Sequence, residues 1–80
     1  MNKKYNGAKS HWSENIKRLR IVFHMTQSDI ARIMNTTQST ISKWENGEIE
    51  PCISDLITLS AVFGITVDEL LNCRNPRPKT

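Results

Sequence analysis

Eighty residues, 38% of them hydrophobic, allow one small domain; a chain of this size buries only about 60% of its unfolded surface, so its core must be compact and mostly local. No apolar run approaches the ~20 residues of a membrane span, and the opening MNKKYNGAKSH lacks the apolar stretch of a secretory signal, so a cytoplasmic setting is expected. The net charge of +3 is segregated: eight Lys/Arg against two acids over residues 1–43 (+6), six acids and no Lys/Arg over 44–73 (−6), three Lys/Arg over 74–80 (+3). Such a division implies one face attracted to polyanions and another kept off them.

In chain order, residues 1–11 form a basic arm, 12–73 the folded domain and 74–80 a basic, disordered or extended tail marked by Pro76 and Pro78. Ile16, Leu19 and Phe23 recur at three- and four-residue spacing, which predicts an amphipathic helix from about Ser13 to Phe23. Ser13 is its expected N-cap, with Glu14 beside the positive helix end and Trp12 folding over the core from just before the cap. Thr26 and Asp29 spell a capping box for a second helix whose Ile30, Ile33 and Met34 face inward with Ala31. Thr37 caps a third helix, Ile41 and Trp44 supply its buried face, and Gly47 gives a left-handed stop. After a connection over 48–51, the residues Ile53, Leu56, Leu59, Ser60 and Phe63 mark a fourth helix ended by Gly64. Thr66 and Glu69 form another capping box, and Leu70 and Leu71 anchor a short fifth helix.

The stretch TQSDIARIMNTTQSTISKWENG (26–47) carries the most information. It writes two short amphipathic helices around a tight turn at Asn35-Thr36, and the second opens with Thr37, Gln38, Ser39 and Thr40, side chains better suited to base edges than to a core. This is the layout of a helix-turn-helix, whose second helix enters the DNA major groove. From Trp12 to Leu71 the chain resembles the phage repressor and Cro (Xre-type) helix-turn-helix family. The resemblance rests on IKRLR at 16–20, TQSDIA at 26–31, TTQSTISKWENG at 36–47, the Pro51 approach to helix four, and FGITVDELL at 63–71. It implies an all-α, compact five-helix bundle of the lambda-repressor-like kind. It also implies a bacterial or phage-encoded regulator, most simply a repressor, that binds a palindromic operator in double-stranded DNA as a homodimer.

Carried over position by position, the resemblance makes Gln38 the first base reader, a Gln being able to bond adenine N6 and N7 together. Thr37 and Ser39 join it on the bases, and Lys43, one turn further along, is placed to reach a guanine or else a phosphate. Gln27, at a helix N-terminus, Ser42 and Asn46 are assigned to phosphates, and the two glutamines Gln27 and Gln38 are expected to touch. Arg20 and Glu45 are expected to pair across the bundle as a bidentate guanidinium–carboxylate contact with a structural role. Asn35 and His24 stand where the family often carries Gly, so both are read as left-handed backbone positions and His24 as neither metal ligand nor base. Cys52 replaces a capping Ser, so helix four is expected to be weakly capped, and the Ser60 hydroxyl needs a backbone acceptor. Dimer self-contact is expected around Ile65, Val67 and Leu71. Lys3, Lys4 and Lys9 either follow a groove or phosphate rail or belong to a plain flexible arm.

Cys52 and Cys73 stand far apart without clustered histidines, which excludes the usual zinc spacings; reduced thiols are expected before a disulfide, and no metal or cofactor is expected. The glycines at 7, 47 and 64 are scattered, so there is no phosphate-cradling loop. No Ser–His–Asp or Ser–Lys set is evident, which argues against an enzyme. An antitoxin or restriction-controller role, combining the same DNA chemistry with a protein partner, stays open beside the phage-type regulator.

Overall fold

The computed structural model describes residues 11–78, and the arm over 1–10 falls outside them. Five helices follow one another: α1 (Trp12–Val22), α2 (Gln27–Met34), α3 (Gln38–Glu45), α4 (Ile53–Phe63) and α5 (Val67–Asn72). No strand occurs among the described residues. α2 and α3 form the closest pairing, and α1 packs on both α3 and α5.

One core joins all five. Ile16 and Leu19 from α1, Ile30 and Ala31 from α2, Ile41 and Trp44 from α3, Leu56, Leu59 and Phe63 from α4, and Leu70 from α5 are buried together with Trp12 and Ile65. Phe23 meets Phe63 edge-on at 5.7 Å between ring centres, an arrangement that aligns the ring's positive rim with the other's negative face. Ala31 is small where α2 and α3 approach, and it is 4% exposed.

The helix ends follow the local chemistry written in the sequence. Thr26 Oγ1 accepts from the Asp29 amide at 3.0 Å while Asp29 Oδ2 takes the Thr26 N–H at 2.8 Å, a complete capping box. Thr66 and Glu69 repeat it on α5, and Thr37 Oγ1 receives the Thr40 N–H on α3. Asn35 (φ 59°) and His24 (φ 57°) adopt the left-handed conformation, as do Gly47 and Gly64. At each of these four stops the following residue's N–H reaches back to a carbonyl five positions earlier: Met25 to Arg20, Thr36 to Ala31, Glu48 to Lys43 and Ile65 to Ser60. These bonds satisfy carbonyls the helix would leave open. Ser60 Oγ donates to the Ile57 carbonyl at 2.8 Å. Cys52 provides no side-chain cap for α4; its thiol contacts Ser54 and Asp55 instead.

Four expectations are corrected. Ser13 is not the cap of α1: the helix starts at Trp12 with His11 as its uncapped boundary. Burying Trp12 within the first turn outweighs the roughly 1 kcal/mol of a serine cap. Ile33 is 49% exposed, not inward; at ~100° per residue Ile30, Ala31 and Met34 share one arc and Ile33 falls outside it. Ile53, in the first turn of α4, is 69% exposed, because periodicity finds a helix face but not where its neighbours stop. Ile65, expected at a self-contact, is instead 7% exposed in the core, with Val67 and Leu71 half-buried against it.

The tail over 74–78 has no helix, yet it is tied down. Arg18 Nη1 donates to the Arg74 carbonyl and to Asn75 Oδ1, both at 3.1 Å, and Pro76 is buried. Cys52 and Cys73 are free thiols. No described helix is long and apolar enough to cross a membrane.

Candidate nucleic-acid interface

α3 divides cleanly into two faces. Ile41 and Trp44 point into the core, and Glu45 turns toward α1. At ~100° per residue the opposite arc carries Gln38, Ser42 and Asn46 in one row and Ser39 and Lys43 beside it. Gln38, Ser39, Lys43 and Asn46 are exposed and Ser42 is half-buried. Thr37, also exposed, sits at the N-cap, its hydroxyl engaged with the Thr40 amide and hydroxyl. Asn46 is the C-cap residue. The structure therefore brings Gln38, Ser39 and Lys43, with Ser42 and Asn46, onto one solvent-facing side, while Thr37 is exposed at the N-cap.

Gln27, the first residue of α2, stands against that side. Gln38 Nε2 donates to Gln27 Oε1, so the two glutamines touch as expected. Gln27 Nε2 donates in turn to Glu45 Oε1 at 2.9 Å, a contact the sequence did not announce. Between the helices lies a shallow open depression lined by Ser28, Ala31, Arg32, Thr36 and Gln38.

Behind the surface the expected ion pair is present. Arg20 Nε donates to Glu45 Oε2 at 2.7 Å and Arg20 Nη2 to Oε1 at 3.1 Å, with side chains 12% and 3% exposed. Arg20 Nη1 also holds the Met25 carbonyl at 2.9 Å. The Glu45 hydrogen bonds lift the Arg20 pKa above its ordinary value against the opposing pull of desolvation. This bidentate clamp fixes the end of α3 relative to α1 and the start of α2.

The charge pattern is consistent with an anionic partner. Lys43 is exposed and makes no ion pair among the described residues, and Glu45, the one acid of α3, is turned inward. The remaining acids of the second half lie on the 48–51 connection, α4 and α5. Arg32 is held by Asp29 at 2.8 Å, still exposed at the α2 surface. No group of His, Cys, Asp or Glu that could hold a metal ion occurs among the described residues.

Sequence reasoning missed Asn15. It is fully buried on α1, and its Nδ2 donates to the carbonyls of Leu70 and Cys73, both at 2.9 Å, closing the C-terminal end of α5. Its Oδ1 has no partner among the described residues. The signal available was positional: a polar residue between Trp12, Ile16 and Leu19 on the inward stripe.

An all-α bundle that presents the second helix of a helix-turn-helix outward, with a polar face and no opposing acid, defines a nucleic-acid-binding class of protein. The Helix-turn-helix family model matches residues 16–70, and the chain belongs to this Xre-type family of DNA-binding transcriptional regulators. It is 34% identical over 61 residues to the HTH-type transcriptional activator BcrR of Enterococcus faecalis, a match covering 76% of this chain and 30% of that protein. Among solved structures, a transcriptional regulator from Listeria innocua superposes with a TM-score of 0.75 at 31% identity, over 78% of this chain and 58% of that one. The P22 c2 repressor, solved in complex with a synthetic operator, superposes with a TM-score of 0.71 at 28% identity, over 75% and 91% of the two chains. The chain thus spans less than a third of BcrR and a little over half of the Listeria regulator.

Proposed function

We propose that this chain is a sequence-specific double-stranded DNA-binding regulator of transcription that lays α3 in the major groove and represses by occupying a palindromic operator as a homodimer in the cytoplasm. The observation that carries the reading is the solvent-facing row of Gln38, Ser42 and Asn46, flanked by Ser39 and Lys43 and opposite the buried Ile41 and Trp44. Gln38, Ser39, Lys43 and Thr37 address base edges, while Gln27, Ser42 and Asn46 address phosphates. The capped N-terminus of α2 adds its dipole to the phosphate contact at Gln27. The P22 repressor's capture on operator DNA supports the partner; BcrR's name favours activation as the second outcome of the same binding.

Selection of bound duplexes from a random pool tests the reading. A protein making 6–10 phosphate contacts loses ~10³–10⁵ in affinity between 50 and 200 mM salt. Gln38→Ala is expected to cost about 1–3 kcal/mol and relax preference at one base pair, whereas Asn46→Ala, at a phosphate, weakens binding to all sequences alike. Salt-insensitive binding, or no selected site, overturns the proposal.

A further inference from the structure

We propose that Glu45, whose side chain is turned in from the exposed face of α3, is a positioning residue that fixes the base preference of Gln38 by setting the amide polarity of Gln27. The proposal rests on the assignment of Gln38 as a base reader. A carboxylate accepts and does not donate. Glu45 is held in place by two nitrogens of Arg20, at 2.7 and 3.1 Å, and its side chain is 3% exposed. It therefore presents one fixed acceptor, Oε1, to α2, and Gln27 answers with Nε2 at 2.9 Å.

An amide has a donor end and an acceptor end. With Nε2 committed to Glu45, Gln27 turns Oε1 toward α3, where Gln38 meets it with its own Nε2. Turning either amide over would set carbonyl against carboxylate or carbonyl against carbonyl. An unsupported surface glutamine has no such restriction. Gln38 is left with its carbonyl and its second N–H side by side. That pair complements adenine, which offers the N6 donor beside the N7 acceptor in the major groove. Guanine offers two acceptors, O6 and N7, and opposes the Gln38 carbonyl. A buried ion pair contributes little net stability against a hydrophobic replacement, so orientation of the relay gives Arg20 and Glu45 a second use.

The test compares wild type with Glu45→Gln, Gln27→Leu and Gln38→Ala on a duplex from site selection. The probe is that duplex with adenine, and its counterpart with guanine, at the base pair where Gln38→Ala relaxes preference. Glu45→Gln restores a donor and an acceptor at position 45, so both amides are free to turn. Gln27→Leu cuts the relay while leaving the ion pair, and hence the fold, in place. Each is expected to lower the adenine-to-guanine affinity ratio by about tenfold, the loss of one good hydrogen bond's discrimination. Weaker folding or a lost phosphate contact lowers both affinities together and leaves the ratio alone. In the free protein, the Gln27 side-chain amide hydrogen facing Glu45 is expected downfield in the nitrogen–proton spectrum, moving to the ordinary position in Glu45→Gln. An unchanged ratio in both relay variants, with Gln38→Ala still relaxing preference, overturns the role of Glu45 and leaves the base-reading assignment standing. An unmoved Gln27 signal in Glu45→Gln overturns it as well. If Gln38→Ala relaxes no position, the base-reading assignment fails and carries this proposal with it.

Discussion

Arg20 reaches from the last turn of α1 to the last residue of α3, where it holds Glu45 and the Met25 carbonyl; without it the Glu45 carboxylate keeps the Gln27 amide but loses its compensating cation. Removing one member of a nearly buried pair leaves the other charge unsolvated, so Arg20→Met is expected to lower the unfolding free energy by about 3–5 kcal/mol. The double variant Arg20→Met/Glu45→Met leaves no stranded charge and is expected to recover a large part of that loss, which a double-mutant cycle by urea unfolding measures. A double variant whose loss equals the sum of the two single losses would show that the pair is not coupled. Asn15 acts at the opposite end of the bundle. Its amide joins α1 to the carbonyls of Leu70 in the six-residue α5 and of Cys73 just after it. Asn15→Ala is expected to cost about 1–3 kcal/mol and to raise hydrogen exchange in α5 before the rest of the fold, which amide-resolved exchange would register.

At the scale of the element, two helices begin with complete capping boxes, and one of these titrates. Asp29 has its pKa held below the ordinary carboxylate value, chiefly by the Thr26 backbone N–H, then by Arg32 and the Thr26 hydroxyl. A depressed acid contributes stability that is complete above its unfolded pKa of about 3.9 and is lost as pH falls through the lower folded value. Lowering the pH from about 5 to about 2 is therefore expected to destabilise the protein, and Asp29→Asn to flatten part of that fall. Urea midpoints across the range check it; identical slopes would remove Asp29 from the account. Such caps were legible in the sequence because their chemistry spans three residues, as were the stops at Asn35 and Gly47, set by one residue's tolerance of positive φ. The two-faced α3 was legible for the same local reason. What was not legible depends on neighbours distant in the chain. Ile33 and Ile53 satisfy an apolar pattern but lie where no helix covers them, and the first turn at Trp12 is decided by burial rather than by Ser13. Asn15 finds its acceptors 55 and 58 residues away. Arg20 with Glu45 was visible through family resemblance alone, and the link from Glu45 to Gln27 through neither route.

For the whole molecule, the partition of charge and the dimensions bear on how one bundle finds a site. The described acids beyond Glu45 stand on the 48–51 connection, α4 and α5, apart from Asp29 and Glu14, while α3 shows Lys43 to solvent. On the proposed reading, a bundle so charged would approach DNA with its α3 side. One eight-residue α3 reaches only a few base pairs, too few to single out a site among the competing sites of a genome. In the proposed dimer, two copies related by a two-fold axis would read two half-sites about 34 Å apart on one face of the duplex. The longest extent of the bundle, 36 Å, is of the same order as that spacing. With Ile65 committed to the core, little of the expected self-contact around Val67 and Leu71 is left for a partner, and dimerisation is expected to be weak off DNA and cooperative on it. Footprinting is expected to show two protected half-sites filling together over one narrow concentration range, with a monomer in sedimentation at micromolar concentration. Independent filling of half-sites, or protection of a single one at saturation, would reject the paired arrangement; a second protein required for the full footprint would point to the antitoxin or controller role.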